Sequence, residues 1–440
     1  MKLPGWLRRK PKPAEMVSAY AVFTPGAPAV LNFVPRVTPV SLLEAAMATP
    51  GIQVIVYGES GSGKSTLLKN ELAKHYSSPI TTRCTATSSF DGMLLQAFDA
   101  LDHWVISEKT SGSLSESSAE LAASIKGIRA SVGHRESTSD GDTRTPLLPP
   151  QLTPQKLGEL IGQSGQCWLI EDFHKVPEAE KVFLAQTMKV FSDLGGDHER
   201  LKVIVVGATI SARDVVAYDP EMRSRISEIF VPPLSDAEIR TLISHGGQLM
   251  NVDFGEVTEG IIRNSLGSGS VAHQLALNCL LARNIKRRQF EKITLQESDL
   301  RDAGTRYVQA SSATLRSRFD KAVYRAQSTG YDNCRLILSG LAFSDVSGSL
   351  HGDLLSTIHH QEPKYPSGNL TTYLRQLATD DRGRVVRRNQ DGRISFSEPL
   401  LHTYARLMLL PAGSTDEGDI FASDLRRMSI TIQGAKVDFY

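Results

Sequence analysis

Short apolar runs alternate along this chain with stretches in which apolar residues recur every three or four positions. Ile52–Tyr57, Ile80–Cys84, Cys167–Ile170 and Val203–Val206 predict buried strands, the last with its apolar run starting at Leu201. Leu67–Leu72, Phe90–Val105, Leu152–Ile161 and Glu178–Leu194 carry the helical period. Strands that are apolar throughout, each followed by an amphipathic helix, predict a parallel sheet covered on both faces. Upstream, residues 1–40 hold Phe23-Thr24-Pro25 and Phe33-Val34-Pro35-Arg36 and predict an ordered arm leading into a helix over Ser41–Ala48. From Ser235 the pattern turns helical, with Asp236–His245, Gly255–Ser265, Ser270–Arg283 and pieces of Glu297–Arg325, which predicts a small helical lid.

The link between the first strand and its helix carries the chemistry. Gly58-Glu59-Ser60-Gly61-Ser62-Gly63-Lys64-Ser65-Thr66 contains a complete Gly-x4-Gly-Lys-Ser loop. The glycines let backbone N–H groups curl around a β-phosphate, and the following helix presents its positive end. Lys64 is placed to bridge β- and γ-phosphates, and the Ser65 hydroxyl to ligate Mg²⁺. The expected ligand is therefore ATP with Mg²⁺, held by residues 58–66. A second constellation is Cys167-Trp168-Leu169-Ile170-Glu171-Asp172. Phosphoryl transfer needs one carboxylate near the metal and another to orient water, and a strand end beside the loop can supply both. By position Glu171 faces the metal and Asp172 the water. Two surface acids at a strand end are the alternative. After the strand ending at Val206, Thr209 is the candidate polar contact to the γ-phosphate, against a simple turn. In Asp219-Pro220-Glu221-Met222-Arg223-Ser224-Arg225, Arg223 and Arg225 are either arginines aimed at a neighbour's γ-phosphate or surface arginines.

Composition narrows the partners. Charged residues make up 22% of the chain, and Lys plus Arg number 49 against 48 acids, for a net charge of +1. A nucleic-acid contact would need a local patch rather than a polyelectrolyte chain. The four cysteines are scattered and suggest neither a metal cluster nor a disulfide framework. The basic start lacks an apolar segment behind it, and no stretch reaches bilayer length, so the expected place is the cytoplasm and no membrane contact is expected.

Together the loop, Leu169-Ile170-Glu171-Asp172-Phe173-His174, and Met222-Arg223-Ser224-Arg225 ahead of Pro232-Pro233-Leu234-Ser235 resemble AAA+ ATPases. Within these the resemblance is to the initiator-like clade around Orc1/Cdc6 and the neighbouring STAND signalling ATPases, over about residues 30–410. It implies an α/β P-loop NTPase core, a helical lid, oligomerisation placing arginines in trans, and packing of Phe33–Arg36 near the adenine. The order Glu171 then Asp172 departs from the usual Asp-Glu, and the shorter Asp172 could slow hydrolysis. These families often carry a lid arginine in a Gly-x-Pro-Arg context. Here Gly267-Ser268-Gly269-Ser270-Val271-Ala272-His273 puts Ser270 in that place, which implies weak γ-phosphate sensing by the lid, with His273 either a substitute or an ordinary histidine.

Residues 331–410 predict a winged helix. The expected parts are helices Asn333–Phe343, His351–Gln361 and Ser367–Thr379 with Ser367 as N-cap, then strands Arg384–Arg388 and Arg393–Ser397, then a closing helix Glu398–Leu410. Arg382, Arg384, Arg387, Arg388 and Arg393 suit phosphate contacts, as do Lys364, Tyr365, Tyr373 and Arg375, while Asp380, Asp381 and Asp391 dilute the patch. A DNA contact and a protein dock both stand. The expected organisation is an arm over 1–40, a core over 41–234 with a Ser-rich insertion at about 107–150, a lid over 235–328, a winged helix over 329–411 and a tail over 412–440. With no effector motif in the chain, the leading expectation is an ATP-binding and hydrolysing switch. It would self-assemble and control a separately encoded effector protein, as in the signalling and antiphage-defence assemblies the clade resembles. A DNA-binding initiator or loader and a nucleotide-dependent scaffold with little turnover are the alternatives.

Overall fold

The structure is a computed structural model that describes residues 17–101, 152–207, 220–311, 313–324, 330–389 and 391–409. Thr209, the expected insertion at 107–150 and the tail from 412 lie outside the described residues. Contacts divide the chain into a core unit, within Pro35–Glu59 and Lys64–Pro232, and a helical unit, within Met1–Val34, Ser60–Gly63 and Pro233–Tyr440.

The first element, α1 (Ala19–Val22), belongs to the helical unit and is a single turn capped by the Ser18 side chain on the Tyr20 N–H. The core unit then runs α2 (Val37–Ala48), β1 (Gln53–Tyr57), α3 (Lys64–His75), β2 (Ile80–Arg83), α4 (Phe90–Asp99), α5 (Pro154–Ser164), β3 (Trp168–Glu171), α6 (Glu178–Asp193), β4 (Val203–Gly207) and β5 (Ile226–Phe230). The strands form one sheet in the order β2-β3-β4-β1-β5, every pair parallel. This is the α/β P-loop NTPase sheet that the strand–helix alternation predicts, with β1 next to the middle and the loop after it at its carboxyl end. Ile55, Ile170, Val203 and Val205 pack on one face with Met93, Leu157, Leu184 and Phe191, while Val54, Val56, Leu169, Ile204 and Val206 pack on the other with Leu43, Leu67, Leu68 and Leu72. Burial on both faces is why these strands read as unbroken apolar runs.

β5 was not among the expected strands. It lies at the sheet edge, paired with β1 alone, and only Ile229 of Ile226–Phe230 is fully buried. Its mixed sequence is what an edge position allows.

The helical unit continues with α7 (Asp236–Met250), α8 (Val257–Ser265), α9 (Gly269–Ala282), α10 (Glu297–Ala310) and α11 (Ala313–Val323), plus a minimal parallel pair, β6 (Val252–Asp253) with β7 (Ile293–Thr294). Ser235 and Glu238 close a capping box at the start of α7. The expected end at His245 fell before Gly246-Gly247, but α7 runs through both glycines to Asn251, which ends it in the left-handed region. A Cβ at Gly246 would lie 2.3 Å from the Phe23 ring, and one at Gly247 2.6 Å from the Val252 carbonyl oxygen. The glycines serve close packing, not a break.

Next come α12 (Asn333–Ala342), α13 (His351–His359), α14 (Ser367–Leu377), an antiparallel hairpin of β8 (Val386–Arg388) and β9 (Ile394–Phe396), and α15 (Pro399–Met408), in the expected order. Ser367 is not the N-cap of α14: Pro366 holds that position, no side chain caps the helix, and Ser367 is its first residue. One apolar cluster runs through the helical unit from Ala19 to Leu409. The arm enters it through Ala19, Val22 and Phe23, all fully buried, with the Phe23 ring edge-on to Phe254 at 5.7 Å. Arg318 of α11 binds the hairpin module from outside the cluster. Its guanidinium donates to the Gly383 and Arg384 carbonyls at 2.8 and 2.9 Å and to Ser397 Oγ at 3.0 Å, and it pairs with Glu398 at 2.5 Å.

Candidate nucleotide-binding site

β1 delivers the chain to Gly58, and α3 begins at Lys64. Gly58, Gly61 and Gly63 take φ of 150°, 82° and 93°, values that side chains disfavour and that let the loop turn its N–H groups inward. The Lys64 ammonium is folded over this loop, donating to the Gly58 and Glu59 carbonyls at 2.7 Å each. Burial lowers its pKa to about 8, partly countered by the charges of Asp172 and Glu59. Ser65 is exposed on the first turn of α3, Thr66 is half-buried beside it, Ser60 is exposed and Ser62 is buried. A loop with three glycines at positive φ, a part-buried cation and an exposed hydroxyl at a helix N-terminus fit a polyphosphate and a hard divalent cation.

Glu171 is the last residue of β3. Side chains alternate along a strand, so it shares its face with Leu169, the face packed by Leu67 and Leu68 of α3. Its carboxylate pairs with the Arg83 guanidinium at 3.2 Å, and Arg83 is its register partner on β2. Asp172 follows in the left-handed region at φ 59° and ψ 28°, a conformation that costs a non-glycine residue about 1 kcal/mol. It accepts from Lys175 at 2.8 Å, and its charge is felt at Lys64.

Met222 is buried beneath a 3-10 turn over Pro220–Ser224 that leaves Arg223 exposed. The Arg225 guanidinium is paired with Asp193 of α6. Within the helical unit, Ser270 Oγ lies 3.2 Å from Ser268 Oγ, and the Gly269 N–H donates to the Gly61 carbonyl at 2.9 Å. His273 is buried: its Nδ1 accepts from the Thr24 N–H at 3.2 Å, its ring stands edge-on to Phe23, and burial pushes its pKa down to about 4. It is a neutral histidine of the core.

Sequence reasoning passed over two participants. Arg83 looks like any arginine at a strand end until β2 is known to lie beside β3. Gly269 looks like a helix start until Gly61 is seen to accept its N–H. Most of the expected wing cations are engaged locally: Arg382 on the Tyr324 carbonyl at 2.6 Å, Arg384 on Asp380 at 3.2 Å, Arg387 on Ser395 at 3.3 Å, and Arg393 on the Gly348 carbonyl at 3.0 Å.

No protein-family model matches this sequence, and no curated protein matches it at a significant level. Solved structures are similar to it. The Orc2 protein of Aeropyrum pernix, described as ADPNP–ADP complexes, is 14% identical, with 89% of this chain and 96% of that one covered at a TM-score of 0.47. A Walker-type ATPase of Pyrococcus abyssi is 14% identical over 85% of this chain and 96% of that one, with a TM-score of 0.45. Cdc6p of Pyrobaculum aerophilum is 14% identical over 89% and 97%, with a TM-score of 0.40. No helix of the described residues is long and apolar enough to cross a membrane.

Proposed function

We infer that the chain is an ATP-binding switch of the AAA+ kind that hydrolyses ATP with Mg²⁺, self-assembles, and controls a separately encoded partner. The observation that carries this reading is the loop: three glycines at positive φ between a buried strand and a helix, with the Lys64 ammonium folded over the loop carbonyls. Residues 58–66 would hold the phosphates, and Ser65 with Glu171 would hold the metal, which supplies charge neutralisation on the phosphate oxygens. Lys64 orients the phosphate chain. Asp172 stands beside it as the acceptor for the attacking water's proton. Thr209 is the proposed γ-phosphate contact. Arg223, exposed where Arg225 is bound to Asp193, is the arginine offered to a neighbouring subunit.

A site completed in trans has a specific test. Lys64→Ala and Arg223→Ala should each abolish hydrolysis alone, and mixing the two variants should restore part of it, because one supplies the arginine and the other the loop. Absence of recovery in a mixture that co-assembles would refute the shared site. Loss of ATP binding in Lys64→Ala is the companion expectation, and unchanged binding would refute the loop's role. Control of a partner, in antiphage defence or elsewhere, is tested by purifying the chain with and without ATP alongside the products of adjacent genes. No nucleotide-dependent complex would count against it.

A further inference from the structure

Helix α9 starts without a cap of its own. Its N-cap, Ser268, makes no side-chain bond to the helix backbone; its hydroxyl lies 3.2 Å from the Ser270 hydroxyl in the first turn instead. The first N–H of the helix, that of Gly269, donates to the carbonyl of Gly61 at 2.9 Å. The phosphate loop therefore supplies the cap that an N-terminal turn needs. The fit is close. A Cβ on Gly61 would lie 2.5 Å from Ser268 Oγ, and Ser268 is 4% exposed. Behind this turn Gly267 is held in turn: its carbonyl accepts from the Leu234 N–H at 2.8 Å, and a Cβ there would lie 2.6 Å from Pro233. The turn is thus wedged between the loop and Pro233–Leu234. α9 is buried along most of its length in the apolar cluster that reaches α15.

We propose that the Gly61–Gly269 backbone bond, with no lid side chain involved, transmits occupancy of the phosphate loop to α9 and through it to the rest of the helical unit. The proposal rests on the nucleotide reading above and adds what the lid detects. A neutral amide bonded to a loop carbonyl responds to the position of the loop and not to the charge of the terminal phosphate. The lid accordingly registers whether the loop is filled, and ADP and ATP act on it alike. Discrimination of the γ-phosphate falls to groups outside the lid, the proposed Thr209 contact and the arginine of a neighbouring subunit.

The test is amide hydrogen exchange on the full chain, comparing the parent, Gly269→Ala and Gly269→Pro. Alanine keeps the N–H. Proline removes it at the first helical position, where proline is well tolerated, and Ser268 already has the extended conformation (φ −81°, ψ 112°) that a residue before proline requires. Both variants meet Leu234 alike, 3.1 Å from the added Cβ, so alanine controls for packing. Without nucleotide, amides of 58–63 should exchange roughly tenfold faster in the proline variant than in the alanine variant. Equal exchange would overturn the coupling whether or not nucleotide binds. In the parent and Gly269→Ala, ADP and ATP should protect the first turn of α9 equally. In Gly269→Pro that protection should vanish while protection of 58–63 remains. Protection of α9 by ATP and not by ADP would overturn the occupancy reading. A coupling seen without nucleotide, in a chain whose loop neither nucleotide protects, would leave the contact standing and refute nucleotide binding instead.

Discussion

Lys64 begins α3 with its ammonium part-buried against two carbonyls, and burial, partly countered by the charges of Asp172 and Glu59, brings its pKa to about 8. A triphosphate in the loop would favour the protonated form, so the complex holds the proton more tightly than the empty loop does. Affinity should then be flat below about pH 7 and fall as pH rises through 8, by at most about tenfold per unit. Titration of a fluorescent ATP analogue between pH 6.5 and 9.5 measures this. A flat profile in the parent, or a falling one retained in Lys64→Arg, would show that the titrating group is elsewhere. Glu171 offers a second measurement. Its pairing with the exposed Arg83 competes with any cation at that carboxylate. An exposed pair is worth at most about 1 kcal/mol, so Arg83→Ala should tighten Mn²⁺ binding in the nucleotide complex by up to about fivefold. Weaker Mn²⁺ binding in Arg83→Ala would mean that Arg83 positions the carboxylate rather than withholding it.

Among the elements, α9 and α15 each bury a histidine kept neutral. Burial pushes His273 and His402 down to about 4 each, well below the ordinary value near 6.5. The unfolded chain therefore binds more protons than the folded one between about pH 6.5 and 4, and stability must fall as pH falls through that window. The loss is of the order of 3 kcal/mol for each histidine if both shifts are complete. Urea unfolding of the helical unit at pH 7 and pH 4.5 should show it, and His402→Gln should reduce the difference. Equal midpoints would mean the imidazoles charge without opening the core. Such contacts were not legible in advance. The strands flanking the loop were, because burial on both faces writes apolar runs into them, and the loop was, because its glycines and Lys64 are adjacent in sequence. β5 was not, since an edge strand with one fully buried residue carries no run. The join of the arm to the helical unit was hidden too: Thr24 and His273 are 249 positions apart, and nothing local marks either as the other's partner. α7 runs past the expected end at His245 because Gly246 and Gly247 pack closely on Phe23 and the Val252 carbonyl, contacts that one sequence does not show.

For the whole molecule, the question is whether the hairpin module meets DNA. Five arginines near the hairpin invited that expectation, but four of them hold the module to itself or to α11 and the residues after it: Arg382 on Tyr324, Arg384 on Asp380, Arg387 on Ser395 and Arg393 on Gly348. Arg318 reaches back from α11 to the same region. A guanidinium that already satisfies carbonyls and carboxylates must give those partners up to reach a phosphate, leaving the partners' hydrogen bonds unmade. With a net charge of +1, the chain as a whole supplies little long-range attraction for DNA. The module is therefore expected to act as a protein-facing, mechanically fixed part of the helical unit. Two measurements separate the readings. Binding to duplex DNA should be weak and should lack the steep dependence on salt that several phosphate contacts produce, and Arg387→Glu with Arg388→Glu should leave it unchanged. By contrast, Arg318→Ala should lower the stability of the helical unit by about 2–4 kcal/mol, since it removes a part-buried cation with four partners. Tight, salt-sensitive DNA binding lost on charge reversal would replace the partner-controlling switch with an initiator-like reader, and the arginines would then have to rearrange on contact.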